Sequence, residues 1–150
     1  MTIRRATLHD LDDVMVLERA IFPDDAWSKE LMAEGIASPY GHYVVATDDV
    51  GEIVAYAGAH HLPGNDSADI HTIAVSDTQR GQGLGARLFD ELLEWCANDG
   101  AVRVLLEVRA DNPVARHLYS SRGFTTIAVR EGYFQPANVD ALVMERKMSA

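Results

Sequence analysis

A mixed α/β fold, one central sheet flanked by helices, is predicted by three features of this 150-residue chain. Short segments suited to antiparallel hairpins fill its first half. A strand–helix–strand–helix succession follows, the pattern that lays helices against a sheet. Hydrophobic residues make up 47% of the chain, enough to supply a core and to exclude a disordered state. At this length residues 1–150 are expected to form one domain, burying about 68–70% of the surface of the unfolded chain. The sequence holds no internal repeat, low-complexity tract or linker.

Residues 2–6 read as a short first strand. Thr7, with Asp10 three residues on, marks a helix start, and Leu11, Val14, Met15 and Leu17 carry an apolar stripe to about Ile21. Pro23-Asp24-Asp25 breaks the chain. Ser28 caps a second short helix over 29–37, which must end before Pro39. Strands at 40–47 and 52–61 come next, joined by Asp48-Asp49-Val50-Gly51 as a hairpin turn. Pro63-Gly64-Asn65-Asp66 turns the chain again, and 70–75 forms another strand. Arg80-Gly81-Gln82-Gly83-Leu84-Gly85 then opens a long helix with Leu84, Leu88, Leu92 and Trp95 on one face. A strand at 102–108, a helix at 112–121 with Pro113 in its first turn, and strands at 124–130 and 141–147 complete the order.

Charge narrows the function. Against 13 basic side chains stand 23 acidic ones, a formal charge of -10 and a pI near 4.9. Such a surface repels a phosphate backbone, so no nucleic-acid partner is expected; it either attracts a basic peptide or polyamine or merely aids solubility. Cys96 is the sole cysteine, so no intramolecular disulfide forms, and its apolar helical setting marks it as a buried structural thiol. Residues 1–13 contain no apolar signal region, and no run approaches the roughly 18 apolar residues of a membrane helix. The expectation is a cytoplasmic protein with no membrane contact.

Three segments carry chemistry. The glycine run lies between a strand and a helix, where free backbone N–H groups and the positive end of the helix dipole favour phosphates. Glycines there allow φ > 0 and close approach of a bulky anion, and Arg80 adds a positive charge. Its spacing matches neither G-x-x-x-x-G-K-[ST] nor G-x-G-x-x-G, and a plain flexible turn is the alternative. In the strand around Glu107, alternation puts Arg103, Leu105, Glu107 and Arg109 on one face. Glu107 is then either paired with Arg109 or a general base strengthened by burial. The third segment, Asn112 to Phe124, is a capped helix closed by Gly123; Tyr119 within it is open to both readings, an aromatic on such a helix being more often packing than chemistry.

Taken together these segments resemble the GNAT acyltransferases, whose cofactor signature R/Q-x-x-G-x-G/A is met by Arg80-Gly81-Gln82-Gly83-Leu84-Gly85. Ile73-Ala74-Val75, the glycine run, Leu106-Glu107-Val108-Arg109, Asn112, and Leu118-Tyr119 with Gly123-Phe124 are similar, in order and spacing, to the RimI-type branch, the ribosomal-protein alanine N-acetyltransferases. Ala26-Trp27-Ser28 resembles the start of that branch's second helix. The likeness spans nearly the whole chain and is strongest from Ile73 to Phe124.

The resemblance implies a GNAT acyl-CoA N-acyltransferase fold and transfer of acetyl from acetyl-CoA to a protein N-terminal α-amine, with a ribosomal protein as partner. It implies that backbone amides of Gly81, Gln82, Gly83, Leu84, Gly85 and Ala86 hold the pyrophosphate. The pantetheine arm pairs with Ile73, Ala74 and Val75 as an added strand would, and Asn112 also contacts the cofactor. A backbone N–H of that strand polarises the thioester carbonyl. Glu107 is the implied general base and Tyr119 the implied general acid. The proton balance agrees: an α-amine of pKa about 7.7–8.0 is partly neutral at pH 7, whereas a lysine amine near 10.4 almost never is. A phenol near pKa 10 hands its proton to a thiolate of acid pKa near 8.5 at a cost of about two kcal/mol. The segment Arg130-Glu131-Gly132-Tyr133-Phe134-Gln135-Pro136 resembles a substrate-side loop, with Tyr133 as substrate contact; Phe134 and Gln135 depart from the branch's tyrosine-rich pattern.

No metal is expected. His60, His61, Asp69 and His71 lie close in sequence but lack zinc-ligand spacing and are expected as solvated loop histidines around an acidic residue. Two other functions stay open: a transferase acting on a lysine side chain or a small-molecule amine, and a non-catalytic acyl-CoA sensor, against which the pairing of Glu107 with Tyr119 speaks.

Overall fold

The computed structural model describes residues 1–148. Seven strands and four α-helices alternate along it: β1 (Thr2–Arg5), α1 (Leu11–Ile21), α2 (Lys29–Ala37), β2 (Gly41–Thr47), β3 (Ile53–His60), β4 (Ser67–Val75), α3 (Leu84–Asn98), β5 (Arg103–Arg109), α4 (Pro113–Ser121), β6 (Thr125–Phe134) and β7 (Val139–Lys147). The strands form one sheet in the order β1-β2-β3-β4-β5-β7-β6. All neighbours run antiparallel except β4 and β5, which are parallel and joined through α3. The predicted mixed sheet is therefore the observed one.

Pleating divides the core in two. On one face Ala55, Ala57 and Ala59 of β3 and Val104 and Leu106 of β5 meet Leu88, Phe89, Leu92 and Cys96 of α3. Each fully buried leucine there contributes about 1.5–3 kcal/mol. On the other face Tyr43, Val45 and Tyr56 pack under Val14 and Met15 of α1 and Met32 and Ile36 of α2. Tyr43 sits between Gly35 and Gly58, where a Cβ on either would collide with its ring. Burial pushes the Cys96 thiol up to about 12, consistent with the structural role expected of it.

The local signals in the sequence hold. Ser28 Oγ accepts from Leu31 N at 3.1 Å, capping α2, and Asn112 Oδ1 accepts from Ala115 N at 3.1 Å, capping α4. The Asp48 side chain accepts from Val50 N and Glu52 N, closing the β2–β3 turn, where Gly51 has φ +87°. Two boundaries differ by three residues or more. Strand β4 starts at Ser67, three residues earlier than predicted, because Ser67–Asp69 pair with Arg103–Leu105; a Ser-Ala-Asp run has little strand preference of its own. Strand β6 runs to Phe134, so Arg130–Phe134 is not the loop expected. Gly132, at φ +59°, forms an irregularity whose N–H is taken by the Asp140 carboxylate at 2.9 Å, and pairing resumes at Phe134 with Val139.

Candidate active site

Strands β4 and β5 stay together for only three residue pairs, ending at Asp69 with Leu105. Beyond them β4 continues to Val75 and β5 to Arg109 with no ladder between the two. The sheet thus opens into a crevice. One lip is the edge of β4, where Ile73, Ala74 and Val75 pair with β3 on one side only. The other lip carries Glu107 and Arg109. A β-bulge contributes to this shape: Gly58 pairs with Thr72 and Ala59 with Ile70, which skips His71 and turns it onto the α1–α2 face.

The glycine loop lies at the foot of the crevice. Gly81 and Gly83 have φ of +80° and +75°, a region costly for any residue with a Cβ, and a Cβ on either would meet no atom within 4 Å. Gly83 is the N-cap of α3 and offers no side chain, and the first turn holds no acidic residue. The N–H groups of Leu84, Gly85 and Ala86 are consequently left for a ligand at the positive end of a 15-residue helix. An uncapped, open helix start with no carboxylate in its first turn fits a diphosphate. Arg80 is turned back on its own loop: Nη1 lies 3.0 Å from Asp77 Oδ1, and Nε donates to Val75 O at 3.3 Å.

Glu107 corrects the sequence reading twice. Its side chain is 34% exposed rather than buried, and its partner is Arg130 at 3.7 Å, not Arg109. Arg109 instead binds both oxygens of Asp111 at 3.0 Å and reaches Asp25 at 3.4 Å. The shared face is real, but Asp111 in the following turn and Asp25 from the α1–α2 loop lie closer to the guanidinium than Glu107. Tyr119, from α4, is 6% exposed and packs against Phe89 with ring centroids 5.0 Å apart. Its hydroxyl makes no hydrogen bond, and no buried side-chain polar atom is left unpartnered among the described residues, so the oxygen must reach solvent. Burial holds this phenol above its ordinary range, which makes proton transfer to a thiolate costlier than the two-kcal/mol expectation. Tyr133 is half exposed on β6, with Arg130 5.1 Å from its ring centroid, so one arginine touches both Glu107 and Tyr133.

The histidines are not the solvated loop residues expected. His61 is buried, with Nδ1 2.7 Å from Asp99 and Nε2 2.6 Å from the Asn65 carbonyl. Both partners are acceptors, which favours a proton on each ring nitrogen; the Asn65 carbonyl first, then Asp99, raises its proton affinity. His71 lies between Trp27 (5.2 Å) and a stacked His60 (5.5 Å), with Nδ1 2.8 Å from the Tyr43 hydroxyl. Desolvation lowers it to about 4, keeping it neutral. Asp69 is raised by burial first. Among the described residues no group of three His, Cys, Asp or Glu side chains could hold a metal ion.

Sequence reasoning missed Glu18. This fully buried carboxylate accepts from the Tyr56 hydroxyl and from Trp27 N at 2.9 Å, and burial raises it above the ordinary carboxylate range. The signal was present: Leu11, Val14, Met15 and Glu18 fall at i, i+3, i+4 and i+7, which puts a charge on the apolar stripe of α1.

Comparisons with known proteins agree with this architecture. The acetyltransferase (GNAT) family profile matches residues 11–124. The chain is 38% identical to the N-alpha-acetyltransferase RimI of Mycobacterium tuberculosis over 97% of its own length and 92% of that protein. It is 30% identical to the ribosomal protein bS18-alanine N-acetyltransferase of Escherichia coli over 82% of each. The crystal structure of the Escherichia coli ribosomal-protein-S18-alanine N-acetyltransferase superposes with a TM-score of 0.86 at 27% identity, covering 99% of this chain and 94% of that one.

Proposed function

The chain belongs to the GNAT family of acetyl-CoA-dependent N-acetyltransferases, and we propose that it acetylates the N-terminal α-amine of a protein, a ribosomal protein beginning with alanine by the names of its relatives. The observation that carries this reading is the parting of β4 and β5 directly above the uncapped N-terminus of α3. In the proposal acetyl-CoA, as substrate, brings an activated thioester. The amides from Gly81 to Ala86 grip its diphosphate. The free edge at Ile73, Ala74 and Val75 aligns the pantetheine arm, with the Val75 carbonyl shared with Arg80. Asn112 keeps its side-chain NH₂ for the cofactor while its oxygen caps α4.

Glu107 takes the proton of the acceptor amine, directly or through water. The acceptor's own chemistry favours an α-amine, which is already partly neutral at pH 7, over a lysine amine, which almost never is. Tyr119, kept protonated by burial, points a donor at the departing sulfur. Tyr133 and its partner Arg130 border the acceptor entrance beside Glu107. The test is an acetylation assay on a peptide panel that varies the first two residues, each with a free and a blocked N-terminus. Acetylation of free α-amines alone is expected. Acetylation of N-blocked lysine peptides at equal or greater kcat/KM overturns the reading, and acetyl-CoA binding without turnover of any amine favours a sensor.

A further inference from the structure

The loop between α1 and α2, residues 22–28, crosses the crevice and is fastened to both lips. On the β4 lip the Trp27 ring lies 5.2 Å from His71, and Trp27 N donates to the buried Glu18 carboxylate at 2.9 Å. On the β5 lip Asp25 meets Arg109 at 3.4 Å, with both side chains largely buried at 17% and 20% exposure. The guanidinium does more than pair with Asp25. Its edge forks onto Asp111 through two 3.0 Å hydrogen bonds, and Phe134, at the end of β6, lies 5.6 Å from its centre. Arginine suits this place because a flat, five-donor group binds a carboxylate edge-on while offering its face to an aromatic ring. Lysine has neither feature. A hydroxyl on ring 134 is unnecessary for that contact, which accounts for a plain phenylalanine there.

We propose that Arg109 is a positioning residue for the acceptor: it locks the α1–α2 loop to the β6–β7 hairpin and so sets the width of the peptide entrance without touching the reacting atoms. This inference rests on the N-terminal transferase reading for its substrate, although the lock itself does not. The Arg109 contacts involve neither the glycine loop nor Ile73, Ala74 and Val75, so acetyl-CoA binding stays outside their reach.

Arg109→Met is therefore expected to raise the KM for the peptide about tenfold. Its kcat and its KM for acetyl-CoA should remain within about twofold of wild type, a split that general loosening of the fold would not give. Amide hydrogen exchange of residues 22–28 should accelerate in the same variant. Arg109→Lys should fall between wild type and Arg109→Met. If Arg109→Met does not fold, Asp25→Asn carries the same expectations. Unchanged exchange across residues 22–28 overturns the lock. Accelerated exchange with an unchanged peptide KM overturns its role in acceptor positioning. Should wild type acetylate a different amine and no peptide N-terminus, the function reading fails, while exchange and the KM for that amine still decide the role of Arg109.

Discussion

The two sides of the crevice are built from different materials. The proposed cofactor side is backbone: a strand edge and the first turn of one helix, contiguous from Ile73 to Ala86. The proposed acceptor side is side chains gathered from α1, the α1–α2 loop, β4, β5 and β6, meeting through Glu18, Asp25, His71, Arg109, Arg130 and Phe134. Backbone groups cannot be substituted away, and in the proposed reading they meet what every acyl-CoA shares. Side chains can be exchanged one at a time, so the acceptor is where such a fold can change its substrate. The comparison predicts that variants on each side disturb one substrate and spare the other.

Tyr119→Phe removes the proposed acid and should have the largest effect, a fall in kcat of about 10²–10⁴-fold, with acetyl-CoA affinity nearly unchanged by calorimetry. Unchanged kcat would remove Tyr119 from the acid role. Glu107→Gln should lower kcat/KM by about 10²-fold. Its loss should be greatest below pH 7.7, where the neutral α-amine becomes scarce; a pH–rate profile parallel to wild type would count against the base. Gly83→Val probes the cofactor side. Its left-handed backbone costs a β-branched residue about 1–2 kcal/mol, and its Cβ projects into the space open to the ligand. Acetyl-CoA should bind about tenfold more weakly while the peptide KM holds, since both effects centre on the anion cradle. Equal losses for both substrates would break the division drawn above.

The smallest effect is on stability and lies away from the crevice. His61 has a raised proton affinity in the fold, so its contribution is complete below the unfolded imidazole range near 6.5 and is lost as pH rises through the higher folded value. Deprotonation leaves one ring nitrogen facing an acceptor. His61→Ala should cost about 1.5–3 kcal/mol at pH 6, the worth of hydrogen bonds to a charged group, and distinctly less at pH 9. Thermal unfolding at the two pH values checks this; a cost that does not depend on pH would mean that the buried imidazole is neutral.

The sequence by itself determined the order of elements, the helix caps at Ser28 and Asn112, and the glycine-lined start of α3. Each of these is local: caps, positive-φ glycines and amphipathic periods are decided within a few residues, so the chain displays them in one dimension. Only the tertiary structure decided that Glu107 faces Arg130 instead of Arg109, that His61 is buried between Asp99 and the Asn65 carbonyl, and that Asp25 and Phe134 share one guanidinium. Asp25 and Arg109 are 84 residues apart, and Glu18 and Tyr56 are 38 apart. Which partner a side chain finds at such separations depends on sheet register, on the bulge at His71 and on how far β4 and β5 diverge, and no local propensity encodes these.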